Sequence, residues 1–452
     1  MRASPFAPSR PKSIRRPCTL ELVQHELRLH ADPTRVVVRP FHLAWQASGP
    51  DLLRVQRLAR DITSLDMRTV RSELASVLRD FADRHWQIEK VFEERYVEIE
   101  PKLGLDGLVL KREMRLLIGA YFCHEYSYAA AAVMNPSVVR HPDQTGLQEG
   151  SVRIILSLRA VGEGHISTIA FREGIVSPGR ELTLLPQPTF ATTAMLGVHQ
   201  AGNQADRISV HCDPDSSISG TVIFPITEAQ RNGLEDLRLV EFARDSGKSE
   251  WIGTYTAYSG RDIRSELLRT RDFRDFTLTP IKGDAARNKG MALFPRKIDG
   301  KFCMIGRQDG KNLYLLRSDS IDHWEGGELL LEPRFPWEFV QIGNCGAPIE
   351  LDEGWLVLTH GVGAMRKYAI GAMLLDRHDP SKVLGRTPNP LLSAADEDRE
   401  GYVPNVVYTC GAIRVGDDLF LPYGVADSSV CFAFMPIAGI LAAMEMQAAT
   451  PA

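Results

Sequence analysis

A β-hairpin recurs along the last two thirds of this 452-residue chain, and the recurrence restricts what it can fold into. Each unit reads as an apolar strand, a turn rich in Gly and acidic residues, and a second apolar strand. Residues 237–242 lead to 251–259, 293–298 to 302–308, 347–351 to 355–362, and 411–415 to 419–427. An earlier pair, 136–139 with 154–160, repeats the pattern across a longer turn. The first strands begin roughly 55–65 residues apart, a spacing typical of radially repeated hairpin blades. Both faces of these strands are apolar, as blades sandwiched between neighbours require. A β-sandwich of unrelated hairpins would not share one register. The sequence therefore predicts an all-β five-bladed β-propeller over residues 135–440, with an added N-terminal helical segment.

Residues 1–30 read as a disordered arm, since the stretch is Pro- and Ser-rich and its basic residues (Arg10, Lys12, Arg15, Arg16) lack an apolar pattern. Residues 31–134 form a strand plus a helical extension, and 441–452 a tail. Residues 35–41 read as a strand stopped by Pro40. Residues 52–96 and 110–132 carry helical periodicity, with Val70, Leu74, Val77, Leu78 and Phe81 on one stripe. That stripe could pack on the propeller, pair with a second subunit in a homo-oligomer, or close as a lid.

Hydrophobic residues make up 44% and charged residues 24%, enough for a sizeable core. A net charge of −4 gives no electrostatic reason to expect a nucleic acid or an acidic membrane as partner. The seven cysteines are scattered without a CxxC pair, which argues against a disulfide framework or structural zinc. No metal site is expected. No apolar run reaches the ~18 residues of a membrane span, and the expected location is the cytoplasm.

Aligning the second strands at their first apolar residue (Ile154, Trp251, Phe302, Trp355, Leu419) places Arg159, Thr256, Arg307, His360 and Gly424 at one height. Ring closure would bring Arg159, Arg307 and His360 together at the mouth of the central channel. Converging positive charge is costly unless an anion shares the site, and the Arg fork suits phosphate or carboxylate. Pairing of each cation with an acid on its own blade is the alternative. Glu235 and Asp236 open another apolar strand, a place where such poor strand formers point to the channel face or to a solvated turn. Glycosyl transfer needs a proton donor of this kind. Trp324, Phe335 and Trp337 could stack on sugars or fill the core.

Several motifs together resemble glycoside hydrolase family 130. They are Glu235-Asp236-Leu237-Arg238 followed by Tyr255-Thr256-Ala257-Tyr258, Leu293-Phe294-Pro295, Gly354-Trp355 leading to His360-Gly361, Pro404-Asn405-Val406-Val407, and Tyr423-Gly424 with Asp427. They run in family order over about two thirds of the chain. The resemblance implies a five-bladed propeller and inverting phosphorolysis of a β-mannoside, β-1,2-linked by preference, to mannose 1-phosphate. Inorganic phosphate is then the co-substrate and no other cofactor is needed. An inverting β-1,2-mannosidase is the alternative, and a non-catalytic sugar-binding propeller a third reading. By the same resemblance Asp236 is the general acid, acting through a mannose hydroxyl. Asn135, Asp427, Glu235, Arg238 and Tyr258 would bind sugar, and Arg159, Arg307, His360, Lys289 and Tyr368 would bind phosphate. Gln308-Asp309 after Arg307 departs from the family pattern, and Glu163 could serve a hydrolytic route or only a turn.

Overall fold

The computed structural model describes residues 21–41, 50–105, 107–197, 207–398 and 400–447, and structural statements below concern these. The basic cluster at residues 10–16 and Cys18 fall outside them.

Five antiparallel units follow one another along the described chain. The first comprises Ala132–Arg140, Val152–Val161, Ser167–Ser177 and Glu181–Leu184. The second comprises Gly233–Ala243, Ser249–Tyr258, Ile263–Thr270 and Asp275–Pro280. Ala292–Leu293, Phe302–Gly306, Leu313–Ser318 and Glu328–Leu331 form the third. The fourth has Gln341–Asn344, Trp355–Val362, Tyr368–Leu375 and Val383–Arg386. The fifth has Val407–Tyr408, Asp418–Val425 and Ser429–Pro436.

Side-chain alternation along the second strands explains why the units stack. Ile155 joins a core shared with Leu239 and Trp251 of the second unit, whereas its neighbours Ile154 and Leu156 join Phe420 and Phe432 of the fifth. Ile252 faces Met304 of the third unit, and Ile305 faces Val357 of the fourth. Leu356 and Leu358 pack on Leu419 and Leu421 of the fifth. Each strand thus feeds two cores, one per face, as its period of two dictates. The five cores form a closed cycle from first unit to fifth and back. Innermost strands are also tied together. The Cys410 N–H donates to the Pro136 carbonyl at 2.7 Å, and the Leu239 N–H to Ser137 Oγ at 3.2 Å. Gly346 lies so close that a Cβ there would meet the Cys410 carbonyl oxygen at 2.3 Å.

The expected arm is partly corrected. Val23–His30 is a strand that pairs with Ser429–Pro436 and completes the fifth unit. Its alternation puts Val23, Leu27 and Leu29 into the core between the fifth and first units. The tail is corrected as well. The helix Ile437–Ala442 buries Ile440, and Glu445–Met446 pairs with Gly385 and Arg386.

The N-terminal extension folds as helices Pro50–Thr63, Met67–Phe81, Ile88–Ile99 and Arg112–Tyr121 around their own core. Asp66 caps the second of these, accepting from the Arg68 and Thr69 N–H groups at 2.9 and 3.0 Å. The helical reading of 110–132 overshoots. Cys123–Ser127 is a strand paired with Val36–Pro40, and Ala132 already begins the first unit. Residues 128–131 form the turn between the two strands, with Ala130 and Ala131 exposed, and the side chains are buried as strand only from Ala132 on. The extension rests on the flank of the first unit. Tyr126 donates to the Glu163 carbonyl at 2.7 Å, and Lys90 pairs with Asp213 at 3.2 Å.

Candidate active site

Asp236 sits at a break in the innermost strand of the second unit, where pairing with Ser249–Tyr258 slips between Glu235 and Arg238. The same slip occurs between Met134 and Ser137 in the first unit. Bulges of this kind bend a strand and re-aim its side chains. Asn135 and Asp236 both take left-handed backbone, φ 48° and 56°, and Asp427 does so at 50°. Asn and Asp tolerate this region better than other residues with a side chain, and such strain clusters at functional sites. The three residues are brought together. Asn135 Nδ2 donates to Asp236 Oδ1 at 2.6 Å, and the Asp236 charge acts on Asp427.

Around Asp236 the groups divide into two sides. On one side Arg159 donates to Glu235 at 2.7 Å, to Ser167 Oγ at 2.8 Å and to Asp236 at 3.4 Å. On the other lies a pocket lined by Asp236, Arg238, Lys289, Gly290, Arg307, Gly343, Asn344, His360 and Tyr408. Arg238 donates to the Asp236 carbonyl at 3.0 Å and to the Tyr408 hydroxyl at 2.6 Å. The Nε atoms of Arg238 and Arg307 are buried without a partner among the described residues. Unmet donors of this kind on two cations suit an anion.

Register alignment across the hairpins therefore brings Arg307 and His360 to one pocket. Arg159 reaches the same Asp236 but is engaged by carboxylates. Gly424, the counterpart in the fifth unit, has no side chain because a Cβ there would meet the Asn135 nitrogen at 3.1 Å. The expectation that His360 adds positive charge needs correction for the free pocket. Burial, then the charges of Arg307 and Arg238, push it well below the usual histidine range. Its Nδ1 lies 3.2 Å from the Asn344 carbonyl, which fixes the proton there and leaves Nε2 to accept from Arg307 at 3.4 Å. A neutral His360 thus orients Arg307. Tyr368 stacks on that imidazole at 5.9 Å and stands behind the pocket. Tyr258 lies away from the pocket, its hydroxyl donating to the Gly260 carbonyl at 3.2 Å. Glu163 is exposed in the turn after Val152–Val161. Trp324 is fully buried core, Phe335 lies beneath the Arg334 and Arg386 guanidinium groups, and Trp337 packs on Gly361 and Gly371. Among the described residues no cluster of His, Cys, Asp and Glu could hold a metal.

Besides Gly290 and Gly343, the pocket residues that sequence reasoning missed are Tyr408 and Asn344, the two with polar side chains. They end short innermost strands of the fifth and fourth units, and a two- or four-residue strand has no readable periodicity. A signal did exist in the paired Asn344-Cys345-Gly346 and Thr409-Cys410-Gly411 breaks.

The carboxylates are driven apart. Burial pushes Asp236 up, but Arg159, Lys289, Arg238 and the Asn135 hydrogen bond outweigh it and hold Asp236 at about 2. Burial and then the Asp236 charge push Asp427 up to about 6, against Arg159, Arg366 and Lys289. Between pH 4 and 6 the folded protein thus holds a proton on Asp427 that the unfolded chain has lost. Its ionisation costs nothing below pH 4, and the cost grows until about pH 6. Asp427→Asn is expected to be more stable than the parent at pH 7.5 by on the order of 2 kcal/mol, and equal to it at pH 4. Urea unfolding at the two pH values measures this, and a variant no more stable at pH 7.5 contradicts it.

A family model of glycoside hydrolase family 130, described as beta-1,4-mannooligosaccharide phosphorylase, matches residues 217–446. A beta-1,2-mannobiose phosphorylase of Listeria innocua is 34% identical over 236 residues, covering 50% of this chain and 64% of that protein. A 1,2-beta-oligomannan phosphorylase of Thermoanaerobacter sp. is 33% identical over 220 residues, covering 47% of this chain and 72% of that protein. The solved beta-1,2-mannobiose phosphorylase from Listeria innocua, in complex with beta-1,2-mannobiose, superposes with a TM-score of 0.51 at 23% identity. That superposition covers 69% of this chain and 92% of the other.

Proposed function

From the premise that the chain belongs to glycoside hydrolase family 130, we propose that it is an inverting β-mannoside phosphorylase built as a five-bladed propeller. The five units are its blades, residues 135–440 its catalytic domain, and the N-terminal helices an addition on the flank. The observation that carries the reading is the pocket beside Asp236. Arg238, Lys289 and Arg307 line it, two of them with unmet buried donors, and Asp236 is the only carboxylate among the described residues that line it. A hydrolase needs a base facing the acid to activate water, whereas phosphate arrives already anionic and needs none.

In this reading the mannose sits on the side of Asn135, Glu235, Asp427 and Arg159, and phosphate in the cationic pocket. A phosphate oxygen forms the new bond to the anomeric carbon as the glycosidic C–O bond breaks. The leaving oxygen takes a proton from a mannose hydroxyl, and Asp236 replaces that proton. The sugar inverts. In the free pocket Asp236 is ionised, held at about 2 by its cations. Bound phosphate sets negative charge against the same Arg238 and Lys289 and raises Asp236 toward a state that can hold the proton. Lys289 and Tyr368 belong to this anion side, while Tyr258 has no part in the pocket.

The names of the relatives favour a β-1,2-linked manno-oligosaccharide as substrate. Among the described residues no helix is long and apolar enough to cross a membrane. β-1,2-Mannobiose and β-1,4-mannobiose, each incubated with and without phosphate, test the function. The expected result is mannose 1-phosphate from the β-1,2 sugar only when phosphate is present. Equal mannose release without phosphate would make the protein a β-mannosidase.

A further inference from the structure

The fifth unit contributes no cation to the pocket, yet it places a phenol there. Tyr408 is 9% exposed and lines the pocket between Arg238 and His360. Its hydroxyl oxygen accepts from Arg238 Nη2 at 2.6 Å. A phenol that accepts on its oxygen still has a proton to donate, and no acceptor for that proton is found among the described residues. Its ring packs edge-on against His360, with centroids 4.8 Å apart and planes at 62°, and Tyr368, stacked on that same imidazole, lies 6.4 Å away. The hydroxyl lines the same pocket as Arg238, Lys289 and Arg307, and its free proton can turn toward the space they surround.

We propose that Tyr408 is a phosphate-binding residue that donates its hydroxyl proton to a phosphate oxygen while holding Arg238 in place. This deepens the phosphorylase reading and rests on it for the identity of the anion. The arrangement has a chemical logic. Burial holds the phenol protonated far above neutral pH, so it stays a donor where a carboxylate would repel the anion. His360 has no N–H left for the pocket, since Nδ1–H goes to the Asn344 carbonyl and Nε2 accepts from Arg307. Tyr408 supplies the donor that this position of the ring would otherwise lack. Its second task falls on Arg238. With Nη1 tied to the Asp236 carbonyl and Nη2 to Tyr408, the guanidinium plane is set by two fixed points and its unpaired Nε is aimed. Tyr408 thus connects the Arg238 half of the pocket to the Arg307–His360 half.

Tyr408→Phe tests the proposal, because it keeps the ring and its packing and removes only the hydroxyl. Two measurements are made on the full chain: steady-state phosphorolysis with phosphate varied, and calorimetric titration with inorganic phosphate alone. The expected result is a phosphate KM and Kd raised about 10- to 100-fold, in line with loss of a hydrogen bond to a charged group. The KM for the mannoside, which binds on the side of Asn135, Glu235, Asp427 and Arg159, is the control and should stay within about threefold. A phosphate Kd within about twofold of the parent overturns the proposal. So does a variant that melts earlier without phosphate while binding phosphate as the parent does, which would make the hydroxyl a structural support only. If the parent turns over equally with and without phosphate, the phosphorylase reading fails, and the calorimetric titration still decides Tyr408.

Discussion

Asp236→Asn is expected to lower kcat for phosphorolysis at least about 10³-fold. The amide keeps the shape of the carboxylate and its place against Asn135 and Arg159 but cannot pass a proton to the departing oxygen. Phosphate binding should move in the opposite direction. Among the described residues Asp236 is the one carboxylate lining the cationic pocket, so removing its charge removes repulsion toward a dianion. The phosphate KM should fall or stay level while kcat collapses. A second consequence concerns stability. With its folded value depressed from 3.8 to about 2, Asp236 contributes stability that is full above pH 4 and is lost as pH falls through 2. The Asn variant lacks that contribution at neutral pH, and its unbalanced Arg159, Lys289 and Arg238 should make its melting temperature more sensitive to added phosphate than the parent's. Turnover within tenfold of the parent would remove Asp236 from the reaction.

Arg238→Met is expected to raise the phosphate KM by about 10²- to 10⁴-fold, as befits loss of two charge-assisted hydrogen bonds. Arg238 is 4% exposed and unpaired at Nε, so an anion that replaces its missing partner gains a fully desolvated contact. The thioether side chain fills much the same space. Losing one of three cations also lets Asp236 rise from about 2. The contrast with Arg159→Met is informative. Arg159 is engaged by Glu235 and Asp236, so its loss should raise the KM for the mannoside more than that for phosphate. Equal effects of both variants on phosphate would contradict the division of the site into two sides.

The repeat and its register were legible because blade strands carry an unbroken apolar pattern. Ile154, Trp251, Phe302, Trp355 and Leu419 do begin equivalent strands, and counting five residues on led to Arg159, Arg307 and His360. What a count cannot give is direction. Arg159 turns to the carboxylates and Arg307 to the pocket, because the bulges at Asn135 and Asp236 re-aim the groups between them. Charge was also misread at His360, since type and spacing do not reveal that two guanidinium groups flank a fully buried ring. Tyr408 escaped notice because Val407–Tyr408 is only two residues long. The strand Val23–His30 was missed although Val23, Leu27 and Leu29 share one parity, because Pro and Arg immediately upstream dominate the local composition.

Diffraction from crystals soaked in phosphate, with selenate as an anomalous substitute, bears most directly on whether the blades build an anion pocket against the acid. The anion should lie within about 3.2 Å of Arg238, Arg307 and Tyr408, beside Asp236 and on its far side from Asp427. An anion held only by Arg159, or a pocket left empty at saturating phosphate, would contradict the assignment of every group on that side.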